Sequence, residues 1–268
     1  LTQSLVTDEL VLKDRNVVVV DVLRASSTIL TALVNGAKEV IPAESSSVAA
    51  RISKGSGNSL LCGERNGKII EGFNLGNSPF EYTAETVKGK TLIFSTTNGT
   101  VSIIKSRFAK NCIVAGFMNM NAVVDYLSEL NEDFTIVCSG KLNDFCMEDM
   151  AAAGMIISEL FERKGKNNFK LFDSGYVSYK MAKNILYKSG KPDVSRVQSI
   201  FKKSEHGQFL ISLGFGDDLE YCAQLNKFKE LPVFRKGIIK LKDTLENEIS
   251  QKSKMKRINI SNKPNSGE

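Results

Sequence analysis

Histidine is nearly absent from this sequence: His206 is the only one, which leaves no imidazole cluster for zinc and excludes phosphoryl-transfer designs built on paired histidines. Cysteine is sparse and irregular. Cys62, Cys112, Cys138, Cys146 and Cys222 form an odd set without CxxC spacing, each in or beside an apolar run where a reduced thiol acts as a small hydrophobe. Structural zinc and a disulfide framework are therefore not expected. No segment approaches a run of about 18 apolar residues, and the opening LTQSLVTDELVLKD carries charge where a signal peptide needs an apolar centre. These absences lead us to expect a cytoplasmic protein without membrane attachment. A basic groove interleaved with aromatics is also missing. The net charge of +6 owes much to Lys252, Lys254, Lys256, Arg257 and Lys263, so nucleic acid is not an expected partner. Residues 243–268 read as a basic, disordered tail.

What is present fits an ordinary globular chain: 268 residues, 42% of them hydrophobic and 25% charged, enough for one large α/β domain or two smaller layers sharing a cleft. Four short apolar runs, Val17 to Val20, Leu92 to Phe94, Cys112 to Ala115 and Phe134 to Cys138, read as buried strands. Each is followed by a helical pattern, over Thr28 to Val34, Thr100 to Arg107, Asn121 to Leu130 and Glu148 to Arg163. This alternation predicts an α/β fold with largely parallel sheets covered by helices. The similar layouts of VVVVDVLRASSTILTAL, LIFSTTNGTVSII and TIVCSGKLNDFCMEDMAAAGMII leave open two related halves flanking a cleft, within a folded region 1–242 whose internal boundary would fall near 120–170. Leu60 to Thr83, with Gly63, Gly67, Gly72, Gly76 and Pro79, reads as a long irregular excursion, anchored by its apolar residues as an active-site wall. Asp173 to Asp218 reads as helices broken at Gly190-Lys191-Pro192, with a further short helix from Leu219 to Asn226.

Asp21 follows four valines, which puts its carboxylate at the carboxyl end of a strand, where open α/β sheets hold their ligands. Arg24, Ser26 and Ser27 then turn into a helix, so a guanidinium, two hydroxyls and free N–H groups can surround an anion; the plainer reading makes the serines helix caps. In Ser95-Thr96-Thr97-Asn98-Gly99-Thr100, Gly99 allows close backbone approach, while Asn98 or Thr100 can cap the helix that follows; a phosphate cradle and an ordinary Asn-Gly turn fit equally. Glu64 and Arg65 are candidate site residues in the excursion, ahead of Glu71. The turn after the fourth strand offers Lys141, Asp144, Glu148 and Asp149, the last two also explained by opposition to the helix dipole. Oxygen donors of this kind suit Mg²⁺, with Asp21, Glu64, Glu148 and Asp149 as candidate ligands. For His206 the preferred reading is a surface or capping role, with substrate contact open. Familiar phosphatase signatures are absent. Asp21 has no second aspartate two positions on, no cysteine precedes an arginine by six, and GERNGK falls one residue short of a P-loop.

Five ordered blocks, VVVVDVLRASSTILTALVNGAKEVIP, CGERNGKIIEGFNLGNSPFEYT, KGKTLIFSTTNGT, CSGKLNDFCMEDMAAAG and HGQFLISLGFGDDLEYCAQLN, together resemble the 2-phosphosulfolactate phosphatases of coenzyme M biosynthesis. The resemblance spans about residues 17 to 240 and implies Mg²⁺-dependent hydrolysis of 2-phospho-3-sulfolactate to 3-sulfolactate and orthophosphate. It places the family's elements on Asp21 to Ala25, Gly63 to Arg65, Gly76 to Pro79, Thr96 to Thr100 and Glu148 to Asp149. Two positions depart from the family pattern: Lys141 keeps a charge but loses the bidentate fork of arginine, and Asn74 lacks a carboxylate. The leading strand expected before residue 8 is abbreviated. On this reading Asp21, Glu64 and Asp149 are catalytic, Arg24, Ser26, Ser27, Arg65, Asn98, Gly99, Thr100 and Lys141 bind substrate, and Mg²⁺ is the cofactor. A carboxylate-activated water is the expected nucleophile, with attack by Asp21 itself as the competing route. The partner is a small anionic phosphorylated molecule, and association as a homodimer stays open. Phosphatases for other 2-hydroxy acid phosphates and a non-catalytic anion-binding protein are the alternatives.

Overall fold

The computed structural model describes residues 8–142 and 144–261, with side chains as far as residue 251. The expected leading strand and the last residues of the tail lie outside this range. The first half of the chain runs β1 (Asn16–Val20), α1 (Ala25–Val34), β2 (Glu39–Pro42), α2 (Ser46–Lys54), β3 (Ser59–Arg65), β4 (Lys68–Ile69), α3 (Ala84–Val87), β5 (Thr91–Ser95) and α4 (Gly99–Lys105). The second runs β6 (Asn111–Ala115), α5 (Met120–Leu130), β7 (Phe134–Cys138), α6 (Met147–Lys164), α7 (Asp173–Ile185), β8 (Tyr187–Lys188), β9 (Lys191–Pro192), α8 (Val194–Lys203), α9 (Glu205–Ser212), α10 (Gly216–Cys222), β10 (Pro232–Arg235), β11 (Ile238–Leu241) and α11 (Lys242–Ser261).

All four predicted strands and their helices are present, and the fold is α/β as expected. The valine run is buried from both sides. Val18 and Val20 pack with α5 and α6 residues such as Leu127 and Met155, whereas Val17 and Val19 face Ile29 of α1 and Phe94 of β5. A strand covered on both faces has no polar side to show, which is why its sequence is continuous rather than alternating.

Nine strands form one sheet in the order β4-β3-β5-β2-β11-β10-β6-β1-β7. Within this single sheet lie two parallel sets, β3-β5-β2 and β6-β1-β7, which interleave along the chain because β1 sits with β6 and β7. They are joined by the β10–β11 hairpin through antiparallel pairings at each step. An odd number of antiparallel pairings makes the sets run in opposite senses. Their shared core shows how the sheet coils: Val17, Val19 and Val114 from one set, and Val40, Leu92 and Phe94 from the other, enclose Ile29 and Leu33 of α1 and Ile103 of α4. α1 contacts β6, β10 and β2, while α4 contacts β1 and β2. The two helices that leave the central strand of each set therefore lie together inside the coil.

Four parts of the expectation need correction. Leu60 to Thr83 is not irregular throughout, because its first residues form β3, paired in parallel with β5, and Asn66-Gly67 closes a hairpin to β4. Both turn residues have positive φ, 51° and 74°, the geometry that favours Asn-Gly. β2, β10 and β11 went unpredicted; each is only four residues long and mixes charge with apolar positions. The short helix expected over Leu219 to Asn226 begins earlier and ends at Cys222. The tail expected to be disordered runs as α11, where Lys242 pairs with Glu246 one turn on and Lys240 of β11 pairs with Glu248.

Gly63 lets β3 and β5 close. Its φ is +136°, and a Cβ there would sit 1.9 Å from the Ser95 carbonyl oxygen, a backbone atom that no rotamer change can move. Gly72, at φ +78°, would bring an added Cβ within 4 Å of nothing. Gly63→Ala is expected to cost about 2 kcal/mol or more, against about 1 kcal/mol for Gly72→Ala, where only the backbone preference opposes the methyl group. Urea midpoints of the two variants measured in parallel test this ordering, and equal losses would contradict it.

Candidate active site

The turns after β1 and β5 meet inside the coil. A Cβ on Gly99 would lie 2.6 Å from Asp21 Oδ2 and 2.5 Å from Ala25 Cβ, so the contact tolerates only glycine. Around this contact opens a cavity of about 270 Å³ lined by Asp21, Arg24, Glu64, Thr97, Lys141 and His206, among others. A liquid water occupies about 30 Å³, so the space suits a small metabolite with its hydration and not a polymer.

Asp21 is held at Oδ1 by the Ala25 N–H at 3.0 Å, and its own N–H donates to Ser26 Oγ. Among the described residues no donor meets Oδ2. Burial pushes the Asp21 carboxyl up to about 6; His206 and the Ala25 N–H oppose the shift, while Glu64 and Glu148 add to it. Glu64 also lines the cavity, and both its oxygens accept backbone bonds, from Thr97 at 2.7 Å and Gly67 at 2.8 Å. It clips the β3–β4 hairpin to the turn after β5.

Asp149 is buried behind the cavity and clips in the same way, accepting from the Val22 N–H at Oδ1 and the Gly140 N–H at Oδ2. Burial, followed by the charges of Asp21 and Glu148, holds its carboxyl well above the usual range. Glu148 is also behind the wall. Burial would raise its carboxyl, but the hydrogen bond and charge of His206 outweigh that and hold it low. His206 Nδ1 lies 3.0 Å from Glu148 Oε1, and the imidazole itself lines the cavity. The surface or capping role preferred for this lone histidine is therefore corrected to a cavity position.

Of the proposed anion-binding residues, Asn98 and Lys141 line the cavity, with Lys141 Nζ 4.7 Å above the Phe209 ring. Arg24 also lines it, yet its guanidinium is tied to Asp218 at 2.6 Å and to the Gly67 carbonyl at 2.9 Å, and it stacks on Phe215. Its first task is to fasten α10 and the β3–β4 hairpin to the β1 turn. Ser26 and Ser27 take the plainer reading: Ser26 Oγ caps the Asp21 N–H and Ser27 Oγ donates to the Val22 carbonyl. Thr100 Oγ1 bonds within its own turn, and Arg65 donates to the Glu64 carbonyl and Ser95 Oγ; neither lines the cavity.

Three participants escaped the sequence reading. Asp218 accepts from both Arg24 and Ser78 while almost fully buried. Asn77 and Thr97 line the cavity, and their Oδ1 and Oγ1 atoms are buried without a hydrogen-bond partner. The Gly76 to Pro79 and Thr96 to Thr100 motifs contained Asn77 and Thr97, but nothing in their spacing separated the free atoms from the bonded ones.

Residues 1–237 match the family model described as 2-phosphosulpholactate phosphatase. The chain is 42% identical over 231 residues to a probable 2-phosphosulfolactate phosphatase of Caldanaerobacter subterraneus subsp. tengcongensis, covering 85% of this chain and 91% of that protein. It is 44% identical over 220 residues to one from Carboxydothermus hydrogenoformans, covering 82% and 86%, and 41% identical over 229 residues to one from Thermotoga maritima, covering 85% and 93%. With the Asp21–Gly99 contact, the Glu64 hairpin and the Glu148-Asp149 helix start all falling within the matched region, the chain belongs to the 2-phosphosulpholactate phosphatase family.

Proposed function

We propose that this protein is a cytoplasmic, Mg²⁺-dependent phosphatase that converts 2-phospho-3-sulfolactate to 3-sulfolactate and orthophosphate, a step towards coenzyme M. The observation that carries this reading is the apposition of Asp21, with Oδ2 free of donors among the described residues, to Glu64 across a small cavity that also holds Lys141 and His206. Family membership and the names of its relatives support the substrate. Five free cysteines accord with a reducing compartment, and among the described residues no helix is long and apolar enough to cross a membrane.

The donor set fits Mg²⁺. Two carboxylates lining one cavity, Asp21 just after β1 and Glu64 near the end of β3, one with an uncommitted oxygen, match the one or two protein ligands this cation takes beside water and substrate phosphate. Asp21 and Glu64, which line the cavity, would hold it; Glu148 and Asp149 do not line it. Bound there, the cation would neutralise charge on the phosphoryl oxygens. Lys141 and Asn98 supply donors to a multiply anionic ligand. His206, oriented through Nδ1 by Glu148, stands at the wall as a substrate contact.

Phosphate release should vanish with chelator and return with Mg²⁺, and Asp21→Asn should lower kcat at least about 100-fold with the fold intact by circular dichroism. Phosphosulfolactate, phospholactate and phosphoglycerate compared side by side test the substrate, and equal rates on all three would remove the specific claim. A phosphoenzyme trapped at Asp21 and missing from Asp21→Asn would replace activated water with nucleophilic attack by the carboxylate.

The shift at Asp21 also fixes the sign of a pH effect. Below about 6 the carboxyl holds its proton, which a cation must displace, and above about 6 it is already ionised. Apparent Mg²⁺ affinity is therefore expected to weaken as pH falls through about 6, with a proton released on binding, both measurable by calorimetry in two buffers. In Asp21→Asn this pH dependence should flatten.

A further inference from the structure

Behind the cavity wall, the first turn of α6 and the first turn of α9 bring together three different kinds of metal donor. Cys146 Sγ lies 3.4 Å from Glu148 Oε1 and 3.9 Å from His206 Nδ1, and Nδ1 lies 3.0 Å from Oε1. A tetrahedral zinc ion with bonds of about 2.3 Å to sulfur and about 2.0–2.2 Å to nitrogen and oxygen needs edges of about 3.5 Å between sulfur and each lighter donor, and about 3.3 Å between nitrogen and oxygen. The observed triangle departs from that figure by roughly 0.4 Å or less on each side, within reach of small side-chain rotations. The Glu148 carboxylate has a second, buried oxygen outside this triangle. The residue is 1% exposed, and its Oε2 is buried without a partner. An orphaned carboxylate oxygen at such depth is costly unless a cation or donor completes it.

We propose that Cys146, Glu148 and His206 form a binding site for a borderline transition-metal ion of the Zn²⁺ class, separate from the Asp21–Glu64 pair. The sulfur and imidazole donors select against Mg²⁺, which takes oxygen, and the carboxylate alone would not hold a hard cation in preference to the cavity pair. On binding, the Cys146 S–H bond and the Nδ1–H bond that His206 directs at Glu148 both break, sulfur–metal and nitrogen–metal bonds form, the thiol and Nδ1 protons pass to solvent, and the imidazole carries its remaining proton on Nε2. Occupancy would pin α9 to α6 at the wall formed by His206.

Co²⁺ is the probe, added to chelator-treated full-length protein in excess Mg²⁺ so that oxygen sites are occupied. One equivalent should give the visible absorption of tetrahedral cobalt with a sulfur-to-cobalt charge-transfer band in the near ultraviolet, displaced by Zn²⁺. Cys146→Ser should lose the charge-transfer band, and Cys146→Ser and His206→Ala should each weaken Co²⁺ binding at least about tenfold. Wild-type protein without the band, or a band that survives Cys146→Ser, overturns the proposal. Should a variant fail to fold, X-ray absorption on the unaltered Zn²⁺-loaded protein decides: one sulfur at about 2.3 Å among lighter ligands supports the site, and a shell without sulfur overturns it. None of these readouts depends on phosphatase activity.

Discussion

Where the turn after β1 presses on the turn after β5, the two parallel sets of the sheet meet with no room for a side chain at Gly99 and with Asp21 Oδ2 at the contact. The rest of the molecule can be understood from that approach. Opposite strand senses would separate the carboxyl ends of the two sets in a flat sheet, so the sheet must coil around α1 and α4 to bring them together. Once it does, a carboxylate loses water on several sides and acquires negative neighbours. Both effects oppose its ionisation, and a cation relieves both.

Around this contact, polar side chains are spent on holding loops as much as on facing a ligand. Glu64, Asp149, Asp218 and Arg24 each bridge two segments far apart in sequence, and each does so with charged hydrogen bonds in a buried setting, where such bonds are strong and expensive to break. The division of labour is visible in the carboxylates. Asp149 has both oxygens engaged by backbone N–H groups, Glu64 has both engaged yet still borders the cavity, and Asp21 keeps one oxygen unbonded among the described residues. Residues of one type in one motif can thus be scaffold or reagent according to which lone pairs are already occupied.

That distinction explains how far the sequence could be read. The valine run before Asp21 and the alternation of strand and helix are statements about burial, and burial leaves a local signature, so β1, β5, β6 and β7 were legible. Asp21 was legible for the same reason, through its place behind a strand. β2, β10 and β11 were not, since four mixed residues carry too little periodicity, and β3 was hidden by the glycine that its pairing requires. Asn66-Gly67 did carry a hairpin signal, but the glycines and proline spread over Leu60 to Thr83 read as an irregular excursion instead. His206 and Asp218 both fall in the block HGQFLISLGFGDDLEYCAQLN, but nothing in its spacing marked either as a site residue. Their roles depend on α9 and α10 folding back over the β1 turn, a tertiary event that spacing along the chain does not encode.

The β10–β11 hairpin, closed by Lys236 and Gly237 at positive φ, links the two parallel sets in the strand order. It is also late in the chain, while the strands it joins, β2 and β6, are finished by Pro42 and Ala115. During synthesis, then, the two sets emerge early with their inner edges unpaired, and the ladder that joins them cannot form until residues 232–241 have left the ribosome. Folding of this kind is delayed by long-range closure and exposes strand edges meanwhile, which makes the wait for β10 and β11 a point of vulnerability to aggregation and a natural place for chaperone dependence.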